Sequence, residues 1–586
     1  MKVLLVQLPV LSADLAYPAE HVPLGAASVG AYAFLHLPGL DLKLLPRDLC
    51  TWGGDEAIVN EILLEDPGVV AFSCYLWNVE RSCYIAEQLR SRGCRALTVA
   101  GGPEVCPDNT WLLNKNIFDH LFIGEGEKAF AEFLSCLARG MRVADRVLAS
   151  EPLRPEELVS PYLTGLLQPA PSGSILMESL RGCSYRCAYC FYHKSSGLTR
   201  ALPIERVVSE ILWARDRGVR EVLFTDPSFL ARPDASGFLD TITPYTGGLD
   251  LYVELNAEHC SGEIVKKLKD CGVVQVEVGL QTVNSKALKS VGRKWSRKNF
   301  VEGVKRLRDA GIVVTLDIIV GLPHDTLDDV IRSIDFAIEK ELYDELNIYP
   351  LSLLPGTELR KKAAELGIRF MIEPPYYVLK TPWLDYDEIY QAFSYAEEVT
   401  GFDFFPVEVP YLGSLPGNFL SVIELEGDVT PATFHSCSCS LSIIIKNPGW
   451  WERIESVKSF ATSLINKNPY ILLNWIIPSK LVPEGPAMLP FLRKLYLWRQ
   501  HPLDREFFST RSSVNSCQVF ITRHDPLSGD SNVWIWIPPE DTGDGEFRII
   551  PENTDENVAE DWARSLLRKI TGEDNPGYRI GEVMYA

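Results

Sequence analysis

From residue 2 to about residue 140, short apolar runs alternate with amphipathic stretches. KVLLVQL precedes PLGAASVGAYAFLH, LKLL precedes EAIVNEILLED, and GVVAFS precedes NVERSCYIAEQLRS. ALTVAGG leads to a loop and short helix, and DHLFIG to EKAFAEFLSCLARG. Short continuous apolar runs suit strands covered on both faces, and the stretches between them have helical periodicity. Such alternation predicts an α/β domain over residues 1–145, a doubly wound parallel sheet whose ligand lies at the carboxyl ends of the strands. The residues falling at those ends are Ser73, Tyr75, Trp77 and Asn78, then Gly101, Gly102, Pro103 and Glu104, then Gly124, Glu125 and Gly126. Small residues there let backbone approach a ligand closely.

A Pro-rich link over 146–172 ends the first alternation, and a second runs over 173–370. It begins with strand-like SILMESL and continues through EVLFTD, LYVELNAE, VQVEVGLQ, VVTLDIIVGLP and ELNIYPLSLLPGT, with helical stretches between them. Six strand–helix repeats predict a partial (β/α)6 barrel of TIM type, with its active site again at the carboxyl ends. The C-terminal region, 371–586, shows strand alternation in CQVFITRHD and VWIWIPP and an amphipathic ENVAEDWARSLLRKI. It reads as a small α+β cap that covers the barrel mouth and sets substrate choice.

Composition narrows the partners. Lys and Arg number 57 against 78 Asp and Glu, a net charge of -21 that argues against nucleic acid and anionic membranes. No apolar run reaches the roughly 18 residues that a membrane helix requires. Gln7 and Pro9 interrupt the apolar start, which suits a first strand better than a signal peptide. Most of the 14 cysteines are scattered singly, as expected of a cytoplasmic protein.

Three cysteines are not scattered. Cys183, Cys187 and Cys190, in RGCSYRCAYCFYHK, fall in the loop after the first barrel strand. A cubane [4Fe-4S] cluster held by three thiolates keeps one iron open for a ligand that is not protein. A structural zinc site would instead close four ligands, and His193 is the nearby candidate for the fourth. A dinucleotide reading fails, because no glycine fingerprint follows the first strand.

The CxxxCxxC triplet with Tyr189 before its last cysteine resembles the radical S-adenosylmethionine (SAM) superfamily. What precedes it is similar to the Rossmann-like cobalamin-binding domain of the superfamily's B12-dependent branch. FSCYLWNVE, AGGPEV, GEGEKAF, EVGLQTVNSKALKSVGRK, DIIVGLPHDT and LSLLPGTEL carry the resemblance, as does PPYYVLKTPWLDYDEI, over about residues 1 to 400. The resemblance implies that Cys183, Cys187 and Cys190 hold a [4Fe-4S] cluster whose open iron binds SAM. It places Tyr189, Asp226, Glu254, Glu277, Gln281 and Arg293 around SAM, with Asp317 as a further strand-end carboxylate, and cobalamin across the strand ends of the first domain. No DxHxxG signature is present: His21, His36 and His120 all fail the pattern, so no histidine is expected on cobalt.

With these cofactors the expected activity is methylation, via methylcobalamin, of an unactivated carbon in a small-molecule or peptide substrate. Oxidative cyclisation or ring rearrangement with the same cofactors is the alternative, and a non-catalytic cobalamin or cluster sensor has little use for an open iron. An electron donor such as flavodoxin or ferredoxin is the implied partner.

Overall fold

The structure, a computed structural model, describes residues 1–12, 21–192, 199–404, 406–426, 436–483, 485, 488–497, 501–505, 516–539, 547–573 and 576–580. His193 lies outside them. The first sheet contains β1 (Lys2–Val6), β2 (Asp41–Leu44), β3 (Val69–Ser73), β4 (Leu97–Gly101), β5 (His120–Ile123) and β6 (Val147–Ala149). All pair in parallel, in the order β2-β1-β3-β4-β5-β6. Helices α1 (Leu24–His36), α2 (Arg47–Trp52), α3 (Asp55–Glu65), α4 (Val79–Ser91), α5 (Thr110–Leu113) and α6 (Gly126–Ala138) connect them. One face of the sheet packs on α1 and α6 through Val3, Leu5, Ala33, Phe130 and Leu134, the other on α3 and α4 through Leu4, Val6, Ile58, Ile62 and Leu89. The chain turns back between β1 and β3, so the switch-point crevice opens there. β6 comes from residues that sequence reading gave to the link, because Val147–Ala149 complete the edge beside β5.

The second sheet is an open barrel. β7 (Ser174–Met177) is followed by the short pair β8 (Leu180–Arg181) and β9 (Arg200–Ala201), whose connection carries the three cysteines. Then come β10 (Glu221–Phe224), β11 (Asp250–Glu254), β12 (Val273–Gln281), β13 (Val313–Val320) and β14 (Glu345–Pro350), all parallel, in the order β14-β13-β12-β11-β10-β7. Their inward apolar residues form one core with the surrounding helices. The helix Tyr386–Thr400 joins that core through Ile389, Phe393 and Ala396, so the barrel extends beyond residue 370, where its pattern first breaks. A short antiparallel pair, β15 (Arg369–Phe370) and β16 (Val378–Lys380), precedes this helix.

The C-terminal region is larger than the expected small cap. Seven strands, β17 (Leu420–Leu425), β18 (Cys437–Ile445), β19 (Leu472–Pro478), β20 (Cys517–Thr522), β21 (Asn532–Trp536), β22 (Phe547–Glu552) and β23 (Tyr578–Ile580), form one mixed sheet in sequence order. The sheet docks on the first domain. Asn468 Oδ1 accepts from Glu56 N at 3.0 Å, Gly54 N donates to the Cys437 carbonyl at 3.0 Å, and Asp55 accepts from Tyr470 N at 3.0 Å. Among the described residues these contacts lie on the flank formed by α2–α4, while Arg548 and Arg579 of the same sheet reach Asp403 at 3.2 Å and Glu397 at 3.4 Å on the barrel side. Cys439 donates to the Thr51 carbonyl at 3.2 Å, which makes it an interface side chain.

Candidate active site

A cavity of about 560 Å³ opens at the carboxyl ends of β1, β3, β4 and β5 and runs to the start of the cysteine loop. Its size falls in the range of small-molecule sites. On the first domain it is lined by Gln7, His21, Ser73, Tyr75, Trp77, Gly101, Gly102, Pro103, Gly124, Glu125 and Gly126. On the barrel side it is lined by Glu178, Leu180, Arg181, Gly182, Phe191, Tyr192, Thr225 and Pro227.

The first-domain wall is shaped by close backbone approach. Gly102 has a φ of 101°, and a Cβ there would stand 2.6 Å from the Cys74 carbonyl oxygen, so only glycine lets β4 turn against β3. A Cβ on Gly124 would meet nothing within 4 Å, leaving open space above β5. Tyr75 and Trp77 stack with centroids 4.7 Å apart, and Trp77 is 47% exposed with its indole N–H donating to the Leu8 carbonyl. An exposed aromatic face beside glycine backbone fits a flat, extended cofactor such as a corrin.

Two strand-end residues have inward roles instead. Asn78 is buried; its Nδ2 donates to the Leu8 carbonyl at 2.8 Å and its Oδ1 accepts from Tyr75 N at 2.8 Å, so it holds the β3 turn rather than lining the cavity. Glu104 is likewise buried, accepting from the Tyr376 hydroxyl at 2.7 Å and from Asn109 at 3.1 Å. Burial, opposed by these hydrogen bonds and Arg360, pushes its carboxyl to about 7. His21, set aside on spacing, lines the cavity; burial and nearby Arg47 lower it to about 4, so the ring is neutral at pH 7.

Between the two domains lies a charge network that the sequence did not single out. Arg181, two residues before Cys183, meets Glu127 at 2.7 Å, Glu178 at 2.9 Å and Glu125 at 3.2 Å, and Arg200 also pairs with Glu125. Burial alone would raise Glu127, but Arg181 holds its carboxyl below the ordinary value. Glu125 therefore lines the cavity while bound to two barrel arginines.

The cysteine loop is pinned from both ends of its middle. Ala188 N donates to the Val291 carbonyl at 2.8 Å, and its carbonyl accepts from Leu359 N at 2.9 Å. Cys187 is buried, while Cys183 and Cys190 are part-exposed. Burial raises Cys190 to about 11, with Cys187 and Cys183 adding to the rise, so as a free thiol Cys190 is a poor nucleophile and a metal is what would hold it ionised. Among the described residues no three His, Cys, Asp or Glu side chains converge on a single metal position. A cubane would give each cysteine its own iron corner, whereas one zinc ion would gather its ligands on a single position.

The barrel mouth beside the loop is acidic and under-satisfied. Glu254 and Glu277 are register partners on β11 and β12, and Asp317 on β13 accepts from Asn347 at 3.2 Å. Burial, with Glu277 adding, pushes Glu254 to about 7 and also raises Asp317. Gln281 sits at an irregularity in β12 with a φ of 68°, a strained conformation that the surrounding structure must hold. Its Oε1 is buried without a partner, as is Nε of Arg293, whose Nη2 donates to the Gly279 carbonyl. Unpaired buried polar atoms beside a group of carboxylates fit a polar, cationic ligand such as SAM. Tyr189 is drawn into the same environment, beside Arg293 and Cys187. Asp226 does not join them. It is wholly buried and accepts from Ser179 N at 2.7 Å and Leu180 N at 3.0 Å, bracing the stem of the cysteine loop.

Comparison with known proteins follows this division. Residues 15–134 match the B12 binding domain and residues 177–337 the radical SAM superfamily. The cobalamin-dependent radical SAM methyltransferase TokK of Streptomyces tokunonensis is 26% identical over 340 residues, covering 52% of this chain and 50% of TokK. The 2-(S-pantetheinyl)-carbapenam-3-carboxylate methyltransferase of Streptantibioticus cattleyicolor is 27% identical over 348 residues, covering 52% and 50%. The chain spans about half the length of the curated relatives it matches. Among solved structures, the radical SAM methyltransferase TsrM of Kitasatospora setae, with cobalamin and a [4Fe-4S] cluster bound, superposes with a TM-score of 0.50 at 20% identity over 62% of this chain and 75% of that one. TsrM with tryptophan and a SAM analogue gives 0.52 at 17% identity over 65% and 81%. At such identities the likeness is one of fold.

Proposed function

We propose that this chain, which belongs to the cobalamin-dependent radical SAM enzymes, transfers a methyl group to an unactivated carbon of a small-molecule or peptide substrate. One observation carries the reading: the cavity at the strand ends of the B12 binding domain is also lined by Gly182, Phe191 and Tyr192, which flank the cysteine triplet. A substrate in that space meets both cofactors. When bound, SAM on the cluster supplies a hydrogen-abstracting radical and cobalamin supplies a transferable methyl group.

The chain's own residues do the rest. Cys183, Cys187 and Cys190 would hold the cluster. Gln281, Arg293, Glu254 and Glu277 would orient SAM, the carboxylates favouring its positive charges and the unpaired amide its polar edge. Ser73, Tyr75, Trp77, Gly101, Gly102, Pro103, Gly124 and Gly126 would form the bed for cobalamin. Arg181 ties Glu125 and Glu127 of one wall to Glu178 of the other and so holds the gap between the two cofactors.

The test is incubation of the anaerobically reconstituted protein with methyl-labelled SAM, a reductant and an extract of small metabolites and peptides. Methyl transfer yields labelled product with S-adenosylhomocysteine and 5′-deoxyadenosine. 5′-Deoxyadenosine with neither S-adenosylhomocysteine nor labelled product would favour cyclisation or rearrangement instead.

A further inference from the structure

Between Asn284 and Asn299 the chain carries six basic residues, Lys286, Lys289, Arg293, Lys294, Arg297 and Lys298, and no acidic one, in a protein whose net charge is -21. Arg293 turns inward to the Gly279 carbonyl and Lys298 approaches Glu302, but Lys286, Lys289 and Lys294 are exposed and make no ion pair among the described residues. These lysines stand on the helix Ser285–Ser290 and the turn after it. The same turn holds the cysteine loop: the Val291 carbonyl accepts from Ala188 N, and a Cβ on Gly292 would lie 3.2 Å from the Arg186 carbonyl oxygen. Arg186, between Cys183 and Cys187, is exposed too. Exposed positive charge thus surrounds the outer side of the cysteine loop, away from the cavity.

We propose that this basic surface, Arg186, Lys286, Lys289 and Lys294, is the docking site of a small acidic protein that delivers one electron to the cluster. The inference rests on the reading of Cys183, Cys187 and Cys190 as cluster ligands. Reductive cleavage of SAM breaks one carbon–sulfur bond into methionine and a 5′-deoxyadenosyl radical and consumes one electron. A low-potential carrier is oxidised by that one electron. Electron transfer needs a short path, and the patch is joined to the loop by a backbone hydrogen bond one residue from Cys187. An unpaired positive patch on an otherwise acidic surface steers an acidic partner to that place and repels it elsewhere.

The experiment uses the reconstituted full chain and a flavodoxin as probe. Wild type, Lys289→Glu with Lys294→Glu, and a control Lys266→Glu with Lys269→Glu on the exposed helix Gly262–Asp270 are compared. Flavodoxin affinity is measured by titration at low and high salt, and SAM cleavage is driven by reduced flavodoxin or by dithionite. The Lys289/Lys294 variant should bind flavodoxin at least tenfold more weakly with a shallower salt dependence, lose flavodoxin-driven cleavage in proportion, and keep its dithionite-driven rate. Unchanged affinity, an equal fall with both reductants, or the same loss in the control would overturn the proposal, as would a transfer RNA that binds the patch more tightly than flavodoxin. Patch-dependent binding without SAM cleavage by either reductant would overturn the cofactor reading and leave the docking surface standing.

Discussion

Trp77 shows how a single side chain can be read from both sequence and geometry. It follows a strand end, stacks on Tyr75, lines the cavity and is 47% exposed, where an ordinary packing tryptophan would be covered. Trp77→Ala should weaken corrin retention by roughly 1 kcal/mol, about fivefold, the size of an aromatic stacking contact. Iron content should not change. Equilibrium dialysis of the reconstituted variant checks this, and unchanged corrin affinity would make Trp77 a packing residue. The neighbouring strand-end residues show what position alone does not reveal. Asn78, Glu104 and Asp226 have the right type at the right place, yet each spends its hydrogen bonds inward on a turn, a domain junction and a loop stem. Arg181 was equally visible in RGCSYRC, but two of its partners, Glu125 and Glu127, are more than 50 residues away, and no local pattern announces such pairing.

The elements themselves were largely legible because their signals are local. Apolar runs alternating with helical periodicity fix a parallel sheet whatever follows them, and both sheets were readable on that ground. The mixed C-terminal sheet was less so: β18 alternates serine with cysteine, leucine and isoleucine over CSCSLSI, yet it is buried along its whole length, so the serine face that reads as solvent-facing is covered as well. Where two elements meet, Glu104 makes a prediction. Its carboxyl titrates at about 7 in the fold against an ordinary 4.5. A raised acid stabilises the fold fully below its ordinary value and loses that contribution as pH rises through the folded one. Stability should therefore fall between about pH 4.5 and pH 7 by roughly 3 kcal/mol from this group, at about 1.36 kcal/mol per unit. Glu104→Gln should remove that part of the slope. Denaturant unfolding of both proteins at pH 5 and pH 8 measures it, and parallel pH dependences would contradict the assignment.

At the scale of the whole molecule, the C-terminal region docks on a buried ion pair that lies within the first domain. Arg81 meets Asp55 at 2.7 Å with side chains 3% and 1% exposed, and Asp55 in turn accepts from Tyr470 N. Removing one partner leaves a buried charge without compensation, so Arg81→Ala should cost roughly 3–5 kcal/mol. Limited proteolysis should then release the C-terminal region before the barrel is cut. Unfolding of the variant at the wild-type denaturant concentration would contradict this. Arg505 adds a second tie, pairing with Glu80 of the first domain and Glu373 beyond the barrel strands. The central claim, that the first domain and the barrel each present a cofactor to one shared cavity, is tested most directly by counting cofactors. Anaerobic reconstitution of the wild type should give about four irons and one corrin per chain. Cys187→Ala should lose the iron and keep the corrin, because the two beds stand on separate domains. Iron without corrin in the wild type, or joint loss of both in the variant, would contradict the account.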